Sequence, residues 1–503
     1  MSLKKQVVGG LKWKTVLILG RQLFSLLIFT TLTRILGPSE FGLMGLTFIY
    51  LTLVGFLADQ GLGSAIIQRA DLQPAHLHSA FWFSLGTAFL LWLSTVLLAD
   101  SVARLFDEPR LAPLLGWASL SLIFSSTVAV QNALFTRDLE FRRPAIRSLV
   151  AQAVGGAIGI SMALSGWGVW SLVGQQLGAS LTGAITMATM SSYRPALHFS
   201  LPHLRDLLRV SFPLVINWVM ALFSSRVDQI IIGRVLTSSA LGVYVVSGRM
   251  PELVRQSTVQ AISEVSMPAL SKMQQNHSRM REAIYHGMRL NALVMFPVFI
   301  GLAATASDLV PLLFGAKWSN ASLVTSLLSI YALIQALQDL KYPAFVAAGI
   351  TGRYLVLNTA ATIVKLVACL IGAQFGLPEV VLGLILASLV MVAPGVAVLR
   401  SQIGLQIRAL LQPCAVPAAA ALVMFGATWI VAFLMSRPDP SWARLTTQVA
   451  IGAAVYLAIT YRFNRTTLLE LYRTVSDTLF GDKPKLIKTE TEHKSAQSHG
   501  GSA

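Results

Sequence analysis

Apolar runs of about 20 residues recur along this chain from residue 15 to residue 461. A run of that length is what an α-helix needs to cross the hydrocarbon core of a bilayer. Charged residues make up only 12% of the chain and hydrophobic ones 54%, against about one quarter charged in an ordinary soluble domain. Little sequence is left over for a large soluble domain. The pattern predicts an all-α polytopic membrane protein with about fourteen transmembrane helices. They are expected at 15–36, 41–67, 79–99, 112–135, 146–165, 167–190, 209–235, 240–268, 286–306, 321–342, 353–375, 378–399, 413–435 and 442–461.

The net charge of +17 does not read as a nucleic-acid surface, because the basic residues are scattered through short loops between apolar runs. With the N-terminus inside, 26 of the 39 Lys and Arg fall in inner segments and the tail. Seven fall in outer loops: Arg34, Arg104, Arg110, Arg234, Lys317, Arg437 and Arg444. Such an excess is the positive-inside pattern, and it places both termini in the cytoplasm. The basic N-terminus leads into a long apolar run with no small-residue cleavage site, so it reads as a retained first helix. The eight histidines all fall in inner loops or the tail, and the "HLH" at 76–78 reads as solvated loop residues. Cys369 and Cys414 lie within expected helices; no disulfide framework, metal site or cofactor is indicated. The polar end of the chain, within 462–503, reads as a largely disordered cytoplasmic tail.

One stretch occurs twice. "TRILGPSEFGL" at 33–43 and "GRVLTSSALGV" at 233–243 share Arg, a β-branched residue, Leu, Ser and Gly in register at an offset of 200 residues. Six expected helices separate the copies, so both have the same orientation. That predicts two parallel six-helix bundles, 1–200 and 201–400, related by an axis along the membrane normal, with two additional helices at 401–461. Gly37 and Pro38 end the first helix, Gly42 and Gly242 permit close helix approach, and Arg34 and Arg234 are expected to snorkel to headgroups.

"RILGPSEFGL", "DQGLGSAIIQR" (59–69), "LEFRRPAI" (139–146), "VDQIIIGRVL" (227–236) and "VPLLFGAKW" (310–318) together resemble the oligosaccharide flippase family of the multidrug, oligosaccharidyl-lipid and polysaccharide exporter superfamily, in its colanic-acid exporter branch. The likeness covers about 1–460. It implies an inner-membrane flippase that moves undecaprenyl-pyrophosphate-linked oligosaccharide units to the periplasmic leaflet for exopolysaccharide or lipopolysaccharide synthesis. It also implies coupling to protons or sodium ions. Membrane lipids, a polysaccharide polymerase and export machinery are further expected partners.

Ionisable groups within helices cost about 3 kcal/mol or more at the bilayer centre, so they are expected to face protein or a watery cavity. In "SGRMPELVRQSTVQAISEVS" (247–266), Arg249, Glu252, Gln256, Gln260 and Ser263 share one helical stripe, with Arg255 at its edge. An internal Arg249–Glu252–Arg255 ion ladder is the bland alternative. Asn217, Ser224 and Asp228 fall within ~40° of one another on an ideal helix, with Arg226 on the other side. Arg21 and Lys365 lie deep in their helices, and the first half is otherwise drier; Asp339 and Lys341 lie near an inner helix end. Given the resemblance, Arg21, Arg249, Arg255 and Lys365 are the expected pyrophosphate ligands, since guanidinium and ammonium groups suit phosphate oxygens. Asn217, Gln256 and Gln260 are the expected sugar ligands, with Asn291 and Asn358 as further amides. Asp59, Asp228, Glu252 and Glu264 are the expected ion-coupling carboxylates.

A multidrug or cation antiporter of the same superfamily is the first alternative. A membrane polymerase is the second, although no Asp-x-Asp motif or large outer loop is present. A scaffold of polysaccharide assembly is the third. The chain reads as a transporter rather than an enzyme.

Overall fold

The computed structural model describes residues 20–59, 61–271, 273–339, 341–435 and 440–471, without the side chains of 59, 210–223, 258–269 and 271. The expected tail disorder lies mostly outside these residues, as does the start of the first helix. The described residues are helical, with short turns and no strands. The first 200 residues form α1 (20–35), α2 (Pro38–Asp59), α3 (Leu62–Gln68), α4 (Pro74–Leu105), α5 (Leu111–Ala118), α6 (Leu120–Arg137), α7 (Arg142–Leu164) and α8 (Trp170–Met190). The next 200 form α9 (Leu201–Val235), α10 (Ser238–Ser271), α11 (His277–Phe314), α12 (Ala321–Gln338), α13 (Lys341–Ala347), α14 (Thr351–Gly372), α15 (Leu377–Val390) and α16 (Val392–Ile403). Then follow α17 (Ile407–Leu411), α18 (Ala415–Leu434) and α19 (Trp442–Phe463).

Ten of the described helical segments are long and apolar enough to cross a membrane, and the chain is a multi-pass membrane protein. The expected count of fourteen is not reached on that measure. α8, α9, α10 and the described part of α1 are the remaining helices at expected spans. Exposed large apolar side chains such as Leu97, Leu386, Leu422 and Phe433 cover the outside, as lipid contact requires.

The two copies of the repeated hairpin cross each other. A Cβ placed on Gly42 would stand 1.7 Å from the Ser238 carbonyl oxygen, and one on Gly242 would stand 1.9 Å from that of Pro38. The contacts are reciprocal, since 238 and 242 are 38 and 42 displaced by the repeat offset. Only glycine lets α2 and α10 meet this closely.

The repeated arginines act in the same reciprocal way, and here the expectation of snorkelling needs correction. Arg34 donates to the Leu312 and Leu313 carbonyls (Nε to Leu313, 2.9 Å), at the end of α11, where the helix dipole and unpaired carbonyls favour a cation. Arg234 pairs with Asp107, just past the end of α4, at 2.7 Å. Each thus reaches into the opposite half. Lys317 Nζ donates to the Ile35 carbonyl at 2.8 Å and Trp318 Nε1 to that of Thr33 at 2.8 Å. Beneath them Phe29, Phe41, Phe314 and Trp318 pack edge to face, with ring centroids 5.4–5.8 Å apart. These contacts join the first and second 200 residues on the face that carries the hairpins.

α18 and α19 pack on each other and on α11. Arg444, counted above among loop charges, is instead part of α19 and binds the fully buried Asp308 of α11. Gln448 donates to the second Asp308 oxygen at 3.0 Å. A buried carboxylate needs such partners, and this one fastens the C-terminal pair of helices to the second half.

Candidate functional site

Between the halves, below the aromatic layer, lies a cavity of about 800 Å³. Its walls come from α1, α2 and α8 on one side and from α9, α10, α12, α14 and α15 on the other. The i, i+3, i+4 spacing of α10 brings Arg249, Glu252 and Gln256 onto the cavity face, and Arg255 and Leu253 reach it too. Val254 instead packs with the buried Phe299 and Leu333. Pro251 lacks the amide that would bond the Ser247 carbonyl; separately, Ser247 Oγ donates to the Ala321 carbonyl at 3.1 Å, tying α10 to α12.

Of the expected phosphate ligands, Arg21, Arg249, Arg255 and Lys365 all line this one cavity. They are not equivalent. Arg255 is engaged on both sides: Glu252 binds it in a bidentate fork at 2.9 and 3.0 Å, and Asp339, which caps the end of α12, holds it at 3.0 Å. This part of α10 therefore carries the ion ladder, and Asp339, set aside in the sequence as a helix-end charge, is its second anchor. Arg249 stands outside the ladder. It donates to Ser25 of α1 at 2.5 Å and lies 5.1 Å from the Phe29 ring centroid, and its buried Nε has no partner. Lys365 sits 5.9 Å from the Tyr331 ring centroid, a weak cation–π contact. Among the described residues neither Arg249 nor Lys365 has a carboxylate within salt-bridge distance. Arg21 is exposed at the cavity edge, within electrostatic range of Arg147.

Asp228 lines the cavity and accepts a hydrogen bond from the Tyr244 hydroxyl, with Lys365 and Arg226 in electrostatic reach. Glu252 also accepts from Gln256 Nε2 at 2.8 Å. The side chains of Asn217, Gln260, Glu264 and Asp59 lie outside what the structure describes. Asn291 is buried and donates to the Ala336 carbonyl at 2.9 Å, away from the cavity; Asn358 does not line it either.

Two sequence expectations are corrected. Arg226, placed on the far side of α9, lines the cavity and donates to Gln229 at 3.2 Å. Residues 224–229 all face it, because α9 is open to the cavity over more than one helical face there. Nor is the first half dry: Gln22, Ser25, Gln175 and Gln176 line its wall. The result is five cations against two carboxylates around one cavity, a place for an anion with a hydroxyl-rich neighbour.

A family model described as "Polysaccharide biosynthesis protein" matches residues 31–323. The chain is 28% identical over 299 residues to "Succinoglycan biosynthesis transport protein ExoT" of Rhizobium meliloti, an alignment covering 59% of this chain and 60% of that one. It is 25% identical over 400 residues to "Lipopolysaccharide biosynthesis protein WzxC" of Escherichia coli, covering 78% and 80%. A solved structure, "Lipid II flippase MurJ, inward closed conformation", superposes with a TM-score of 0.73 at 16% identity over 90% of this chain and 99% of that chain. At that identity the likeness is one of fold.

Proposed function

From the membership of this chain in the polysaccharide biosynthesis protein family, we propose that it is a flippase for undecaprenyl-pyrophosphate-linked oligosaccharide units, acting in the bacterial inner membrane with both termini cytoplasmic. It is a transporter rather than an enzyme. The observation that carries the reading is Arg249: a half-buried guanidinium whose Nε has no partner and which has no carboxylate within salt-bridge distance, lining one cavity with Lys365 and Arg226. An isolated buried cation is costly unless an anion joins it, and a pyrophosphate brings at least two charges. Guanidinium forks match phosphate oxygens, and partial dehydration strengthens the pairing. The polyprenyl chain stays in lipid while the head group crosses.

The two halves, 1–200 and 201–400, rock about the crossed hairpins, with α17–α19 riding on the second half. Proton or sodium coupling falls to Asp228 first among the expected carboxylates, since Glu252 is committed to Arg255. An ionised Asp228 offsets part of the positive potential that Lys365 and Arg226 present to the substrate phosphate. Neutralising it by a proton, or screening it with a cation, strengthens the hold on the anion, and restoring its charge weakens it. Carriage by Asp59 or Glu264 stays within the same proposal.

The test is expression in a strain lacking its polysaccharide flippase. Surface polysaccharide is expected to return, with reporter fusions at Pro109 outside and at His277 inside. Export of labelled organic cations without polysaccharide would instead identify a cation antiporter, and inverted fusions would reverse the topology.

A further inference from the structure

The walls of the cavity differ in chemistry. Both carboxylates and four of the five cations come from the second half; the first half contributes Arg21 at the edge and otherwise amides, one hydroxyl and apolar or aromatic side chains. The amides of Gln175 and Gln176, consecutive on α8, both line the cavity, and among the described residues neither side chain is held by a hydrogen bond. Their position is fixed by the tightest helix pair of the first half. A Cβ on Gly155 would stand 2.6 Å from the Gln175 carbonyl oxygen, and one on Gly159 would stand 2.8 Å from the Gln175 Cβ, so α7 and α8 meet backbone to backbone. Gln22 of α1 stands on the same wall, its carbonyl already accepting from Ser257 at 3.2 Å.

A free primary amide offers two donors and an acceptor and no charge. That set suits neighbouring hydroxyls of an uncharged sugar and has little to offer a phosphate. We infer that Gln175 and Gln176 form a saccharide-recognition wall, facing the cationic wall that takes the pyrophosphate, so that only a lipid bearing both parts spans the two halves. This rests on the flippase reading above and adds what that reading lacks: the residues that distinguish a glycosylated carrier from the bare one. Arg249 bridges the walls through Ser25. A substrate seated on both walls takes over that bridging role, which ties closure to a complete head group.

The test uses the purified full chain in nanodiscs and two probes: undecaprenyl pyrophosphate, and the undecaprenyl-pyrophosphate-linked oligosaccharide extracted from the flippase-null strain. The unaltered protein is expected to bind the glycosylated lipid at least tenfold more tightly than the bare one. In the double variant Gln175→Leu, Gln176→Leu that advantage falls about tenfold, by the worth of one or two hydrogen bonds. Affinity for the bare lipid stays within about twofold, which also reports that the variant is folded. Gln175→Asn, with its shorter amide, retains part of the preference. Equal affinity of the unaltered protein for both lipids, or an equal loss of both in the double variant, overturns the saccharide wall and leaves the cationic site standing. Binding of neither lipid overturns the flippase reading, and this inference with it.

Discussion

Arg249→Ala is expected to abolish or cripple polysaccharide export while the protein still reaches the membrane in normal amount. The lost contact is a charged hydrogen bond to phosphate, about 1.5–3 kcal/mol, or roughly ten- to hundredfold in affinity. The variant also loses the Ser25 link between the halves. Arg249→Lys keeps the charge but not the planar fork and should be partly active. Lys365→Ala should weaken export through the same substrate. Arg255→Ala is expected to differ in kind: Glu252 and Asp339 lose their shared partner, so membrane abundance or thermal stability falls as well as export. Arg234→Ala serves as the control. Its pair with Asp107 is largely exposed, and such pairs contribute about 0–1 kcal/mol. The measurement is surface polysaccharide in the flippase-null strain, normalised to membrane protein. Full export by Arg249→Ala and Lys365→Ala alike would leave these charges with a packing role only.

Gly42→Ala should produce the second large effect, at a site that touches no substrate. An added Cβ would lie 1.7 Å from the Ser238 carbonyl oxygen, where real contacts stay beyond 3.0 Å, so the hairpins must part by at least an ångström. Overpacking of this kind costs about 1–3 kcal/mol, and here it falls on the contact that joins the halves on the hairpin face. Export should drop about five- to hundredfold, by the same conversion. A cysteine replacing Phe48 on the cavity wall should become several-fold more reactive toward a membrane-impermeant maleimide added from outside. Gly242→Ala, the reciprocal change, should do the same. Unchanged labelling together with unchanged export would mean that the crossing of α2 and α10 does not control access.

Much of this arrangement was legible in the sequence, for identifiable reasons. Apolar run length reflects bilayer thickness, so helix positions followed from composition alone. The stripe on α10 was visible because a 3.6-residue period brings Arg249, Glu252 and Gln256 to one face, and that face borders the cavity. The 200-residue echo pointed to close approach at Gly42 and Gly242, where the two backbones touch. What escaped was long-range partnership. Nothing local in the sequence joins Arg255 to Asp339, Arg444 to Asp308, or Arg34 to the end of α11, because each contact depends on how distant helices are set side by side. Arg226 was misplaced because a single-face rule fails for a helix with cavity on more than one side. Gln175 and Gln176 were missed because glutamine in an apolar run is unremarkable until its amide is seen without a partner.

The most direct test of the central claim is translocation by the purified protein. Proteoliposomes would carry the undecaprenyl-pyrophosphate-linked oligosaccharide with its glycan initially protected from an external glycosidase, and a proton or sodium gradient would then be imposed. The account predicts progressive exposure of the glycan with the unaltered protein and at least tenfold slower exposure with Arg249→Ala. A glycan that stays protected under either gradient, in vesicles where the same protein carries labelled organic cations, would contradict it.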